Sequence, residues 1–480
     1  MHTITRRQFL EETMLATAAV ASVAARPVWA AENKPASPSN RIRVAILGCR
    51  IRGQQHAQEL GRLRDCQIAL VCDPDRDLAA ELAAAVEKQQ GTAPKAVQDM
   101  RRVFDDRTVD AVFVATPNHW HGLAAIWAMQ AGKDVYVEKP VSHNISEGRR
   151  IVQVARKTGR ICQGGTQNRS NGALAAAMDY IKQGKLGEVK LARSIVYGGR
   201  SSIGGPGHYD VPANVDYNLW AGPAPMSPLT RPQFHYDWHW FWDTGNGELG
   251  NNNVHSLDIC RWGLGLTGLG RTVLSYGGRL GYRDAGQTPN TQVVVFDFGD
   301  KTIVSETRGL KTSPFRPGFD GGWIFEGSEG SIAGTSLFDR DGKLVSTFNG
   351  KSESHFANFL QAVRSRNRAE LNADILEGHQ SSALCHIGNI SWRLGRTASP
   401  AELREALGKL KLPDNVLETL DRTTQHLQEN KVDMEQTPLT LGPLLRLSPG
   451  KESFLDHPKA DALLIREYRK PFVMPGESEI

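Results

Sequence analysis

The segment Asp134-Val135-Tyr136-Val137-Glu138-Lys139-Pro140 sets a carboxylate, an ammonium group and a proline in succession at the end of a short apolar run. The β-branched and aromatic residues from Asp134 to Val137 predict a buried strand. A lysine at the carboxyl end of a strand in an open parallel sheet lies on the side where ligands bind. The plain alternative is a strand that ends in a solvated Glu-Lys pair. The sequence on either side argues for the first reading.

Upstream, Arg43 to Leu47 reads as a strand, followed by Gly48-Cys49-Arg50-Ile51-Arg52-Gly53 and a helix from Gln54 to Leu63. Gly48 allows a tight turn and Gly53 a close helix–sheet contact. The backbone N–H groups between them, at Arg50, Ile51 and Arg52, can hold a pyrophosphate. Arg50 stands where G-x-G-x-x-G has its middle glycine, so the motif is incomplete, and its cation is available to phosphates. The next strand, Ile68 to Cys72, ends at Asp73, near the spacing of a ribose-binding acid. A carboxylate there favours NAD over NADP, with Arg76 close enough to soften the preference and leave NADP possible; an Asp-Pro-Asp turn is the other use of Asp73. A helix over Leu78 to Lys88 capped by Asp77, a strand over Ala111 to Ala115 and a helix over His121 to Gln130 stopped by Gly132 continue the alternation. Strand and helix repeated with short connections predict an α/β fold with a doubly wound parallel sheet.

The pieces Gly48 to Gly53, Asp73, Thr116-Pro117-Asn118-His119-Trp120-His121, Glu138-Lys139-Pro140 and Gly245 to Trp262 together resemble the glucose–fructose oxidoreductase / inositol dehydrogenase (Gfo/Idh/MocA) family over about Arg41 to Arg396. The resemblance implies an N-terminal Rossmann domain (41–165), then an α+β domain with a large open, mostly antiparallel sheet (166–400) that often carries an oligomer interface. It implies bound NAD held by the glycine turn, Asp73, Thr116, Asn118, His121 and Glu138. It also implies that Lys139 reaches both nicotinamide ribose and substrate, before a cis Pro140. The family's second signature is an aspartate followed four residues later by histidine at a helix start. Here Asn251 replaces the aspartate and His255 matches the histidine. Asparagine can position a substrate or the ring but cannot take a proton.

Oxidising a secondary alcohol removes a hydride from carbon while a base takes the hydroxyl proton, an exchange that suits histidine. The resemblance therefore makes His255 the general acid/base, Lys139 the group that stabilises the developing alkoxide and Asn251 a positioning residue. Gln167, Asn168 and Arg169 fall where the family approaches nicotinamide and substrate, or form a surface loop. In Tyr236-Asp237-Trp238-His239-Trp240-Phe241-Trp242, aromatic faces beside polar groups suit a sugar ring, with Trp238 and His239 as candidates; a core or interface role is equally open. Asp258, one turn from both His255 and Arg261, is expected to form a structural ion pair. His119, His121, His235 and His239 show no metal-site spacing, and no metal is expected.

The 480 residues, 40% of them hydrophobic, can fill two domain cores, and a net charge of +5 gives no argument for nucleic acid. Six cysteines without C-x-x-C spacing read as buried thiols. Thr5-Arg6-Arg7-Gln8-Phe9-Leu10, an apolar stretch and Val28-Trp29-Ala30 resemble a twin-arginine signal (1–30), with a flexible lead over 31–40. The expectation is an exported, periplasmic protein, delivered folded by the twin-arginine machinery and so able to carry tightly bound NAD. Its substrate is a sugar, cyclitol or glycoside, and it is expected to form a homo-oligomer. Residues 401–480 form an extension with two helices and an extended end over Tyr468 to Phe472. Three functions are open: a net oxidoreductase, a redox-neutral glycosidase working through bound NAD, and a non-catalytic sugar- or cofactor-binding protein.

Overall fold

The run Ile42–Leu47 alternates Val44 and Ile46 toward one face with Ala45 and Leu47 toward the other, and all four are fully buried. A strand apolar on both faces needs cover on both, and the computed structural model supplies it. The structure describes residues 41–316, 318–476 and 479; the signal and lead expected over 1–40 lie outside the described residues.

Six parallel strands, β1 (Ile42–Leu47), β2 (Cys66–Cys72), β3 (Lys95–Val97), β4 (Ala111–Val114), β5 (Asp134–Val137) and β6 (Cys162–Gly164), form a sheet in the order β3-β2-β1-β4-β5-β6. Helices Ile51–Leu60 and Arg76–Gln90 pack on one face, and Asn118–Gln130 and Ile145–Thr158 on the other. Strand order reverses between β1 and β4, which opens a crevice at their carboxyl ends, the usual ligand position in such sheets. The helix His355–Ser365, distant in sequence, returns to this sheet and packs Phe356 and Phe359 against Phe113 and Tyr136.

The first helix starts at Ile51, three residues earlier than expected, so Gly53 lies inside it. The second starts at Arg76 and is capped by Asp75, which accepts from the N–H groups of Asp77 and Leu78; the expected cap, Asp77, sits in the first turn. The short bridge between Asp75 and Val215 fixes the chain there and selects the earlier aspartate.

The second sheet has eleven strands: β7 (Val189–Tyr197), β8 (Thr272–Gly278), β9 (Thr291–Asp297), β10 (Thr302–Arg308), β11 (Gly322–Gly327), β12 (Gly330–Ala333), β13 (Ser336–Phe338), β14 (Leu344–Thr347), β15 (Arg396–Ala398), β16 (Leu439–Leu441) and β17 (Leu445–Arg446). All pairings are antiparallel except β7 with β10. Helices Val254–Gly263 and Ile375–Arg393 cover its inner face through Val294, Phe296 and Ile303. The outer face, with Val293, Val295, Val304 and Tyr276, is covered by Pro400–Gly408 and Val416–Glu429. The C-terminal stretch is thus partly a component of this domain: β16 pairs with β8, and its helices close the sheet.

The last residues cross back to the Rossmann half. Phe472 sits on Trp120 and Trp127, Arg469 donates to Gly222 and Asn218, and Arg150 donates to the Pro475 carbonyl. Among the described residues, no helix is long and apolar enough to cross a membrane.

Candidate active site

The crevice is shaped first by glycine. Gly48 has φ +90°, and a β-carbon there would lie 2.5 Å from the Ala115 carbonyl oxygen; one on Gly53 would lie 1.8 Å from the Gly48 carbonyl oxygen. Only glycines let the turn, the first helix and the end of β4 approach this closely. Arg50 is exposed beside the turn.

Asp73, 7% exposed, accepts from the Cys49 N–H at 2.8 Å and the Asp75 N–H at 2.9 Å. Burial pushes its pKa up to about 6 against the pull of those two hydrogen bonds. A carboxylate has further lone pairs for ribose hydroxyls, so the residue ties the turn to β2 and keeps acceptor capacity. Asp75 also accepts from Asn214 and faces His235 at 3.0 Å, which ties the 198–244 segment to the end of β2.

Glu138 and Lys139 do different work. The Glu138 carboxylate is buried, with Arg52 at 2.7 Å and His56 at 2.9 Å. Burial opposes its charge, yet Arg52 and His56 hold it well below the usual carboxylate range. The Arg52 and Glu138 side chains thus pair with each other, and the Arg52 backbone N–H, the group expected at the pyrophosphate, stays in the glycine turn. His56, which completes the group, was not anticipated. Lys139 precedes a cis peptide bond to Pro140, as the resemblance implied, and donates to the Asn251 carbonyl at 2.7 Å. Burial lowers its pKa, and Glu138 partly offsets this.

The backbone from Leu249 to Asn253 takes a π-helical turn before the helix Val254–Gly263. Such turns occur frequently at functional sites. Here it presents the Asn251 carbonyl to Lys139 and puts His255 in the first turn of the helix. The Asn253 side chain donates to Ser305 and Thr307 of β10 and accepts from Ser194 of β7, which locks the turn to the sheet. His255 Nδ1 is buried without a hydrogen-bond partner, and burial together with the Lys139 charge pushes the ring down to about 3. At neutral pH His255 is an uncharged base.

Thr116 Oγ1 and Gln167 Oε1 are also buried without partners, beside the ends of β4 and β6. Asn118 donates to Asn246 at 3.1 Å, linking the two halves of the chain. His121, expected to touch cofactor, is instead buried with its nitrogens 2.7 Å from the Thr116 carbonyl and 2.6 Å from that of Pro140; it fixes the two loops to each other. Asn168 shares a single 3₁₀ turn with Gln167 and Arg169. Arg169, expected at the substrate, grips Asp258 at 2.8 Å and 2.9 Å and Glu377 at 3.2 Å, and its guanidinium lies over Trp262. Asp258 does form a structural ion pair, but with Arg169 in place of Arg261, whose guanidinium goes to Glu377 and Gln380.

In the aromatic segment, Tyr236 has φ +74° and Trp238 packs beside Trp220, Leu229 and Phe234. His239 is buried, bonds the Tyr236 carbonyl through Nδ1 at 2.7 Å, and lies 4.0 Å from Glu248 through Nε2. Glu248 pairs with Arg200 at 2.7 Å and accepts from Asn252, next to the Lys139 anchor. This Arg200–Glu248–His239 group escaped the sequence reading because its members are up to 48 residues apart.

Known proteins identify the family. Residues 42–166 match the model of the Gfo/Idh/MocA oxidoreductase family's NAD-binding Rossmann fold, and residues 205–424 match its C-terminal alpha/beta domain. The chain is 30% identical over 150 residues to scyllo-inositol 2-dehydrogenase (NAD(+)) of Bacillus subtilis, a match spanning 31% of this chain and 42% of that protein. It is 24% identical over 206 residues to a glycosyl hydrolase family 109 protein of Shewanella putrefaciens, spanning 39% and 45%. These matches span less than half the length of either relative. Among solved structures, the WlbA dehydrogenase from Bordetella pertussis in complex with NADH and UDP-GlcNAcA is similar in fold, with TM-score 0.54 and 20% identity over 73% of this chain and 95% of that one. Levoglucosan dehydrogenase with NADH and levoglucosan has TM-score 0.53 and 18% identity over 72% and 95%. With two family models covering most of its length, the chain belongs to the Gfo/Idh/MocA family of NAD-binding oxidoreductases.

Proposed function

We propose that this enzyme moves a hydride between NAD and a secondary hydroxyl of a sugar, cyclitol or glycoside, with Lys139 and His255 acting at one carbon. The carrying observation is the π-helical turn that brings Lys139 Nζ onto the Asn251 carbonyl and leaves His255 Nδ1 buried without a partner nearby in the chain. The N–H groups of the Gly48–Gly53 turn would hold the pyrophosphate, Asp73 a ribose, and Thr116 and Gln167, with their unpaired oxygens, the nicotinamide end. When bound, NAD supplies the site that accepts or returns hydride. Uncharged His255 accepts the hydroxyl proton, and the Lys139 ammonium stabilises the negative oxygen left behind. Asn251 orients and does not take part in proton transfer.

A second reading is a redox-neutral glycosidase, in which oxidation at C3 permits elimination across C2 and hydride then returns. It is favoured by the relatives named as glycosyl hydrolase family 109 proteins and by one named alpha-N-acetylgalactosaminidase, from Shewanella oneidensis, 25% identical over 206 residues. The test is turnover of sugars and glycosides in deuterated water without added NAD. Arrest after one equivalent per bound cofactor supports net oxidation; repeated turnover with deuterium at C2 of the released sugar supports the glycosidase. In either case Lys139→Ala and His255→Ala should each lower turnover about 100-fold. Near-normal rates in both would remove the assignment. Export by the twin-arginine route belongs to the same reading, since a protein carried folded can leave with its NAD in place.

A further inference from the structure

A cavity of about 50 Å³ lies beyond the turn that follows Pro140, bounded by the end of the helix Ile375–Arg393 and by the C-terminal segment. Its wall includes His143, Trp242, Asn246, Arg393 and Arg466, and contains no carboxylate. The Arg393 guanidinium lies over Trp242 at 5.1 Å and donates no hydrogen bond among the described residues. Arg466 donates to the Asp243 carbonyl at 2.8 Å and faces His143 Nδ1 at 3.2 Å. Arg466 Nε and His143 Nε2 are both buried without a partner.

Two carboxylates act on these cations from outside the wall. Asp243 is exposed to solvent and attracts Arg393. Glu147 is near Arg466 but already accepts from the His143 N–H, Asn144 and Tyr468. Burial and the neighbouring arginines hold His143 well below its usual range, so it adds a neutral ring. Arg393 is exposed and Arg466 half-buried, and no carboxylate lines the recess between them, so both guanidinium groups have donors to offer an entering anion. Charge-assisted hydrogen bonds from arginine are the usual means of holding one.

We propose that this cavity is a binding site for a small oxyanion, either free phosphate or the phosphate group of a small metabolite, held between Arg393 and Arg466. Asn246 gives the site a connection to the cofactor loop. It lines the cavity, donates to the His143 carbonyl at 3.0 Å and accepts from Asn118 at 3.1 Å.

The test is calorimetric titration of the NAD-saturated, full-length protein with inorganic phosphate and, separately, with glycerol 3-phosphate at low salt. Saturating NAD keeps the probes off the dinucleotide turn. Saturable binding is expected, weakened at least about tenfold by Arg393→Gln and by Arg466→Gln, with Arg393→Lys retaining part of it. Tighter binding of the ester identifies a metabolite phosphate, and equal or tighter binding of phosphate identifies the free ion. No saturable binding of either, or unchanged affinity in both glutamine variants, overturns the proposal. Should a variant fail to fold, arginine modification of the wild type read by mass spectrometry decides: phosphate must protect Arg393, and equal labelling with and without phosphate refutes the site.

Discussion

Restoring a carboxylate at position 251 tests how His255 is tuned. Burial and the Lys139 charge push the ring to about 3, and Asn251 supplies no opposing charge. In Asn251→Asp, a carboxylate about 6 Å from the ring, at an effective dielectric of about 20, contributes about 2.8 kcal/mol, or about two pH units. The imidazolium is favoured, so the pKa rises to about 5. The sign for activity follows from the role: the neutral ring is the base, and activity is lost as pH falls through its pKa. With NAD saturating, the wild type should therefore keep a flat kcat/KM for the sugar down to about pH 4.5, while the variant develops an acidic limb near about pH 5. Above that limb the stronger base should turn over several-fold faster, up to about tenfold. Steady-state oxidation rates across this range provide the assay, and Asn251→Asp combined with His255→Ala should lose both effects. An Asn251→Asp profile as flat as the wild type, or a limb that survives loss of His255, would refute the reasoning.

Three further outcomes can be measured. Ribose hydroxyls donating to Asp73 would favour its charged form, so NAD should bind more tightly, with proton release, as pH rises through about 6; calorimetry showing a pH-independent affinity would count against the ribose role. Gly48→Ala forces a side chain into left-handed backbone, at about 1–2 kcal/mol, and its β-carbon meets the Ala115 carbonyl. A lower Tm and lost NAD are expected, and retention of cofactor through gel filtration would argue against the turn as the cradle. Replacing Arg6 and Arg7 with lysine should leave the protein in the cytoplasm by fractionation, and undiminished periplasmic accumulation would exclude the twin-arginine route.

The parts of the fold legible in the sequence are those whose signal is local. Alternation of short apolar runs and helices located β1, β2, β4 and β5, the last on the expected residues, while the three-residue β3, with Lys95 and Ala96 exposed, was too short to show. Within Thr291 to Phe298 the apolar core Val293 to Phe296 is consecutive, the pattern of a strand covered on both faces, and its residues do divide between the two cores. The short strands β13 to β17 were missed: β14 is exposed throughout, and β15 and β17 have too few apolar residues to show a period. In the site, Gly48, Lys139 and the cis Pro140 could be read because backbone geometry demands particular residue types. Side-chain partnerships could not. Arg169 and Asp258 are 89 residues apart, and Glu138 is 86 and 82 residues from Arg52 and His56. Nothing in a linear pattern distinguishes an arginine that binds substrate from one that neutralises a distant aspartate.

The two helices over the outer face of the second sheet bear on how the chain can associate. They lay Leu403, Leu407, Leu420 and Leu427 over Val293, Val295 and Val304, and each fully buried residue of this kind contributes about 1.5–3 kcal/mol. A second subunit seeking that face would compete with a ligand already tethered to it, present at an effective concentration on the order of millimolar. Pairing through that face would first have to displace the tethered helices, which act there as a built-in competitor. The edge strand β14, with Leu344 and Val345 exposed, retains unpaired backbone along one side. Cutting the chain before Pro400 would remove the competitor and leave the valines of β9 and β10 as an adhesive surface, turning a self-contained subunit into one that must find a partner or aggregate.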